Sequence, residues 1–224
     1  MKSLFYKPIK IKHPDEDILF WGCIHKNHKC ERWDNPLWKQ RGYNSVEEHD
    51  RKNIENWNSK ASSYTIGVLL GDNLFGSGGK SAFDDLINSL TFKWLYAMPG
   101  NHYSGWWQAF ESAEQNILQY GEKTVIFLPN YAEFIVNGQS VVCSHYPHIS
   151  WNGQGGGSYM LYSHVHGNLD KSELGRLYVK TGRNMEVSVE KYPSPVNFKE
   201  IRGFMSNREV TSPDHHDKST QNPF

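Results

Sequence analysis

Tyr64-Thr65-Ile66-Gly67-Val68-Leu69-Leu70-Gly71-Asp72-Asn73 is the stretch on which the reading of the whole chain turns. Residues 64–70 form an apolar run of the length expected for a buried strand, and Gly71-Asp72 stops it on a carboxylate. The same pattern recurs on either side. Upstream, Ile18-Leu19-Phe20-Trp21 ends at Gly22 and is followed by Cys23-Ile24-His25. Downstream, residues 92–98 read as a strand closed by Pro99-Gly100-Asn101-His102. Helices fall between these runs. Ser45-Val46-Glu47-Glu48 has capping-box spacing and predicts a helix to about Trp57. Phe83, Leu86, Ile87 and Leu90 recur at helical spacing, and a third helix is predicted from about Ser104 to Gln119, burying Trp107, Phe110 and Ile117. A long polar stretch, residues 23–44, separates the first strand from the first helix; loops of that length in a compact domain are usually functional.

The second half changes character. Residues 125–128, 131–136 and 140–143 read as strands, and Asn137-Gly138 between the last two is a strong hairpin signal. Shorter strands are predicted over 160–162, 177–179 and 186–189. βα units followed by a β-rich half argue for a mixed α/β sandwich with helices outside. A single domain is expected over 1–205, with a frayed polar tail over 206–224 that includes His215 and His216.

Composition narrows the function. In 224 residues, Lys+Arg and Asp+Glu are both 24, so the formal charge is +0, and the pI is 7.2. Bulk electrostatics therefore do not hold this chain on nucleic acid or an anionic membrane. The mean hydropathy is -0.68, and no stretch approaches the roughly 18 apolar residues of a membrane span. The first seven residues lack the apolar core of a signal peptide. Three cysteines (Cys23, Cys30 and Cys143) without C-x-x-C spacing argue against a disulfide framework. A cytoplasmic protein is expected, in a host cytoplasm if phage-encoded. The 11 His stand out, because neutral imidazoles bind metals and move protons.

Each apolar run is followed by such chemistry. Cys23-Ile24-His25, Gly71-Asp72, Gly100-Asn101-His102, Ser144-His145 and Ser163-His164-Val165-His166 all follow strands, and the carboxyl ends of strands are where ligands gather in layered α/β folds. One Asp or His beside a strand is ordinary; five such motifs in succession are not. The succession resembles the calcineurin-like metallophosphoesterase superfamily, whose motifs read D-x-H, G-D, G-N-H, H and G-H-x-H in that order. The resemblance covers about residues 18–189, and Ser45-Val46-Glu47-Glu48-His49-Asp50 looks like small single-domain members of phage and bacterial type.

The resemblance implies a four-layer αββα sandwich of two mixed sheets, with two divalent transition-metal ions (Mn, Fe, Zn or Ni) at one end. It implies one ion on His25, Asp72 and His166, with Cys23 at the position of the family's first acid. The other would take Asp72, Asn101, His145 and His164, so that Asp72 bridges. It further implies hydrolysis of a phosphate mono- or diester by a metal-bridging hydroxide, with Asp72 and Asn101 at the reacting phosphate and His102 assisting the leaving group. Acid assistance of that kind is typically worth ~10²–10⁴-fold. The substrate could be a nucleotide, a cyclic nucleotide, a nucleic-acid end or a phosphoprotein, since the motifs read phosphate alone.

Three positions depart from the family pattern. Cys23 replaces Asp: as a thiolate it favours zinc or iron over manganese, and as a buried thiol it leaves the first ion on three ligands. Ser163 replaces the Gly before His164, and Tyr103 replaces the Asp that often follows G-N-H. The bland alternatives are a turn residue at Asp72 and a helix cap at Asn101. His28 reads as a substrate-side residue. Cys23, His25, His28 and Cys30 offer four zinc ligands in eight residues, but without the separated pairs of a zinc module. Trp106, Trp107 or Trp151 would be available to stack a base, and a loop containing Gly153 and Gly155-Gly156-Gly157 to border the site. Gly76-Ser77-Gly78-Gly79-Lys80 lacks P-loop spacing. The second functional class is a weakened or inactive binding protein on the same fold; the third is a nucleic-acid module stabilised by zinc on the segment from Cys23 to Cys30.

Overall fold

The structure, a computed structural model, describes residues 7–29, 36–76 and 78–211. Cys30, His215 and His216 lie outside them. In chain order the elements are β1 (Ile9–Ile11), β2 (Ile18–Trp21), α1 (Leu37–Gln40), α2 (Val46–Asn58), β3 (Ile66–Leu69) and α3 (Gly79–Ser89). Next come β4 (Trp94–Ala97), α4 (Ser104–Glu111), β5 (Ile117–Tyr120), β6 (Lys123–Phe127), β7 (Tyr131–Val136) and β8 (Gln139–Ser144). The chain then makes β9 (Tyr159–Tyr162), α5 (Glu173–Lys180), β10 (Asn184–Glu186), β11 (Val196–Asn197) and α6 (Phe198–Ser206).

Two mixed sheets result. One has the order β11-β2-β3-β4-β6-β5, parallel through its centre and antiparallel at both edges. The other runs β1-β7-β8-β9-β10, with the β7–β8 hairpin turning at Asn137-Gly138. Alternation along each strand assigns the layers. Ile18 and Phe20 face the core between the sheets, while Leu19 and Trp21 face Trp57 of α2 and Phe83, Leu86 and Ile87 of α3. On β9, Tyr159 and Leu161 face the inter-sheet core, and Met160 and Tyr162 pack outward with Tyr178 of α5. The molecule is therefore the four-layer αββα sandwich, with α6 inserting Phe198, Ile201 and Met205 into the central core. No helix of the described residues is long and apolar enough to cross a membrane.

Four expectations are corrected. The helix predicted over 104–119 stops at Glu111. Gln115 and Asn116 turn the chain with φ 50° and 66°, and Ile117, half exposed, starts β5 against β6. Trp107, predicted buried, is 45 % exposed. Residues 177–179 belong to α5, because Ser172 caps the Gly175 amide and starts a helix. The last strand is Asn184–Glu186 and not 186–189, although Ser188 still bridges Gly22 in parallel. At the carboxyl-terminal side, Arg208 donates to the carbonyls of Gly182 and Val179, and Gln154 donates to Thr211 Oγ1. The chain thus stays attached as far as the described residues go.

Candidate metal centre

All five strand-end motifs meet at one edge of the sandwich, because β2, β3 and β4 run parallel and β8 runs parallel to β9. The first sheet supplies Cys23, His25, Asp72, Asn101 and His102. The second supplies His145, His164 and His166.

Asp72 is the hub. It is 1 % exposed, and its Oδ1 accepts the His102 backbone amide at 2.7 Å. Its Oδ2 lies 3.2 Å from His145 Nε2 and 3.8 Å from His25 Nε2. One oxygen therefore faces two histidine groups. Burial works to raise this carboxyl, but His145 and the His102 amide outweigh it and hold it below the ordinary carboxylate value.

The group around His145 has a surplus of acceptors. His145 Nδ1 is 2.9 Å from the Leu70 carbonyl, which only accepts, so that nitrogen carries the proton. Its Nε2 faces Asp72 Oδ2 (3.2 Å), Asn101 Oδ1 (2.9 Å) and His164 Nδ1 (3.1 Å) at once, more partners than a single N–H can serve. Two acceptor oxygens and two imidazole nitrogens thus converge on one point. A cation satisfies all four atoms together.

The second group is arranged in the same way. His166 Nδ1 donates to Glu190 Oε1 at 2.6 Å, which leaves its Nε2 lone pair 3.3 Å from His25 Nε2. Carboxylate-oriented imidazoles are a recurrent outer support of metal ligands. His25 is buried, and burial together with His166 keeps it neutral by pulling its pKa well down. Cys23 is fully buried between the groups. Its sulfur is within 4.8 Å of the ligand atoms of His25 and His166, and equally of Asp72 and His145. Burial, reinforced by Asp72, pushes the thiol well above its ordinary value, so a cation is what would make it a thiolate. The donor set of N, O and S atoms suits zinc, iron and similar ions.

Backbone strain concentrates here. Nine described non-glycine residues have positive φ, and five of them are Cys23, His25, Asp72, His164 and His166. Each such conformation costs on the order of 1–3 kcal/mol and persists only where the surroundings over-determine it. Gly100, at φ 74°, lies against Asp72, whose backbone nitrogen and carboxylate would collide with any Cβ there. Ser163 needs no such freedom: the positive φ falls on His164, and the Ser163 hydroxyl donates to the Leu70 carbonyl at 2.7 Å.

The mouth is formed where exposure rises, at Asn101, His102, His164 and His166. Phe75 packs 4.7 Å from His102 and Tyr146 4.3 Å from His164, ring to ring. Of the other predicted site residues, His28 is 3 % exposed and covered by Phe75 at 4.0 Å, so the substrate-side position assigned to it is closed to solvent. Of the four zinc ligands offered by the first loop, Cys30 lies outside the described residues, and Cys23 and His25 group with His166. Trp106 and Trp151 are core residues. Gly153 to Gly157 precede β9 and lie at the far end of its strand from His164.

Sequence reasoning missed Glu190, Arg41, Phe75 and Tyr146. Glu190 had a signal, since it follows the apolar run at 186–189 as the other motifs follow theirs. Arg41 had none.

No protein-family model and no curated protein matches the chain. Among solved structures, a protein of unknown function from Aquifex aeolicus, AQ665, aligns with a TM-score of 0.59 at 15% identity, over 84% of this chain and 98% of that one. The likeness is one of fold.

Proposed function

We propose that the protein is a metal-dependent phosphoesterase that hydrolyses a phosphate mono- or diester. The observation that carries the reading is the sharing of Asp72 Oδ2 between two histidine groups at the mouth of one edge. That is the donor arrangement suited to a pair of divalent ions. His25, His166, Asp72 and Cys23 would hold one ion, and Asp72, Asn101, His145 and His164 the other. Bound ions would supply Lewis acidity toward phosphoryl oxygens and a water of lowered pKa.

The side chains have separable tasks. Asp72 balances charge between the groups while its Oδ1 fixes the His102 amide. His102, exposed at the mouth, is placed to give a proton to the departing alkoxide. Asn101 faces both His145 and the opening, which suits it to orient a phosphoryl oxygen. Phe75 and Tyr146 flank the mouth and limit access of water from the sides.

The test is elemental analysis of untagged protein, with aryl phosphate mono- and diester turnover assayed on the same sample. About two ions per chain with turnover is the expected result. One ion or none, with no turnover after addition of Mn, Zn, Fe or Ni, would replace the enzyme with the binding protein on the same fold.

A further inference from the structure

The buried guanidinium of Arg41 comes from the far end of the polar stretch, yet it reaches the base of the centre. Its Nε and Nη2 donate to Glu190 Oε1 at 2.9 and 2.7 Å. Nη2 also donates to the Cys23 carbonyl at 2.6 Å, and Nη1 to the Ile24 carbonyl at 2.9 Å and to His49 Nε2 at 2.7 Å. These five contacts occupy the full donor set of the side chain. Glu190 Oε1 in turn accepts from His166. On the other side, His49 Nδ1 donates to Asp50 Oδ1 at 2.9 Å, and Asp50 Oδ2 accepts the Asn27 amide at 2.9 Å. Cys23, His25 and Asn27, the strained residues of the first loop, are thus bracketed by Arg41 and Asp50.

We propose that Arg41 and Glu190 are positioning residues that hold the first loop and His166 in one geometry and so set the ion affinity of the group containing Cys23, His25 and His166. The inference rests on the metal reading above. No contact of Arg41 reaches His145 or His164, so the effect falls mainly on the group with His25 and His166, which shares Cys23 and Asp72 with the other. A planar fork with five donors can do this, whereas an ammonium with three cannot make all five contacts to Glu190, two successive carbonyls and His49.

The experiment compares Arg41→Lys and Glu190→Gln with the parent. Amide hydrogen exchange over residues 22–29 is followed in metal-free protein, and cobalt(II) titration is followed by the thiolate-to-cobalt charge-transfer band. Arg41→Lys keeps a cation beside Glu190, and Glu190→Gln keeps the side chain's size, so one folded variant suffices. Expected are faster exchange over 22–29, no change around His145 and His164, and a roughly 10–100-fold loss of affinity for the ion that gives the thiolate band. Parental exchange and parental affinity in a folded variant would overturn the proposal, as would equal weakening of both ions or full recovery by lysine. If the parent itself binds no cobalt, the metal reading falls, and exchange over 22–29 still decides whether Arg41 fixes the loop.

Discussion

At the scale of single residues, the centre depends on which atoms face inward. Asp72 Oδ2 lies 3.2 Å from His145 Nε2 and 3.8 Å from His25 Nε2, which is itself 3.3 Å from His166 Nε2. Removing the shared carboxylate should therefore unload both groups. Asp72→Ala is expected to lose both ions by elemental analysis and to drop turnover to background while circular dichroism is unchanged; a folded, active Asp72→Ala would sink the phosphoesterase reading. His164→Ala, in contrast, should lose one ion and leave the other on Cys23, His25 and His166. Cys23→Asp tests metal preference. Its carboxylate would replace a buried thiol that burial holds protonated, and manganese-supported turnover should rise relative to zinc. The convergence of these residues was legible in the sequence because each follows a strand. Their left-handed backbones were not, since nothing in Cys23-Ile24-His25 announces two positive φ angles so close together.

At the scale of elements, caps and packing faces explain both what the sequence disclosed and what it hid. Ser45 Oγ accepts the Glu48 amide at 3.1 Å, and the helix that follows presents His49, Asn53 and Trp57 to the interior. Two of these three residues are polar, His49 meeting Arg41 and Asn53 meeting His49, so periodicity located the helix without revealing its purpose. Asn197 and Glu200 complete a reciprocal cap on α6. Ser45→Ala and Asn197→Ala should each cost about 1 kcal/mol in urea unfolding. Phe198→Ala, emptying a fully buried position between the sheets, should cost about 3–5 kcal/mol by the same measurement. The strand runs at β2 and β3 were readable because both faces are largely buried, and that of β4 because its residues are apolar or aromatic throughout. β5 and α5 were not, because their residues are half exposed and their states are decided by the turn at Gln115-Asn116 and the cap at Ser172.

At the scale of the whole molecule, the centre exists only when two sheets are stacked. Ligands from β2, β3 and β4 meet ligands from β8 and β9 across the sandwich edge, separated by up to about 140 positions in the chain. An ion that binds there binds the native state alone. Adding zinc or manganese at ~100 times its dissociation constant should raise stability by roughly 2.7 kcal/mol per independent site, and a chelator should remove the gain, both measured by thermal unfolding. Absence of any shift with either metal would count against the centre itself.

Beside the candidate metal centre, Gly22 of the first loop faces Ser163. A Cβ on Gly22 would stand 2.7 Å from the Ser163 Cβ and 2.8 Å from its Oγ. The two positions share one side chain's worth of space, so they are bound to vary together. Gly22→Ala should wedge the loops apart and weaken metal binding, and adding Ser163→Gly should restore it. Among descendants of this fold, a lineage that gains a side chain at the first position is expected to have surrendered one at the second, a trade that would appear in its sequences as a reciprocal exchange of glycine.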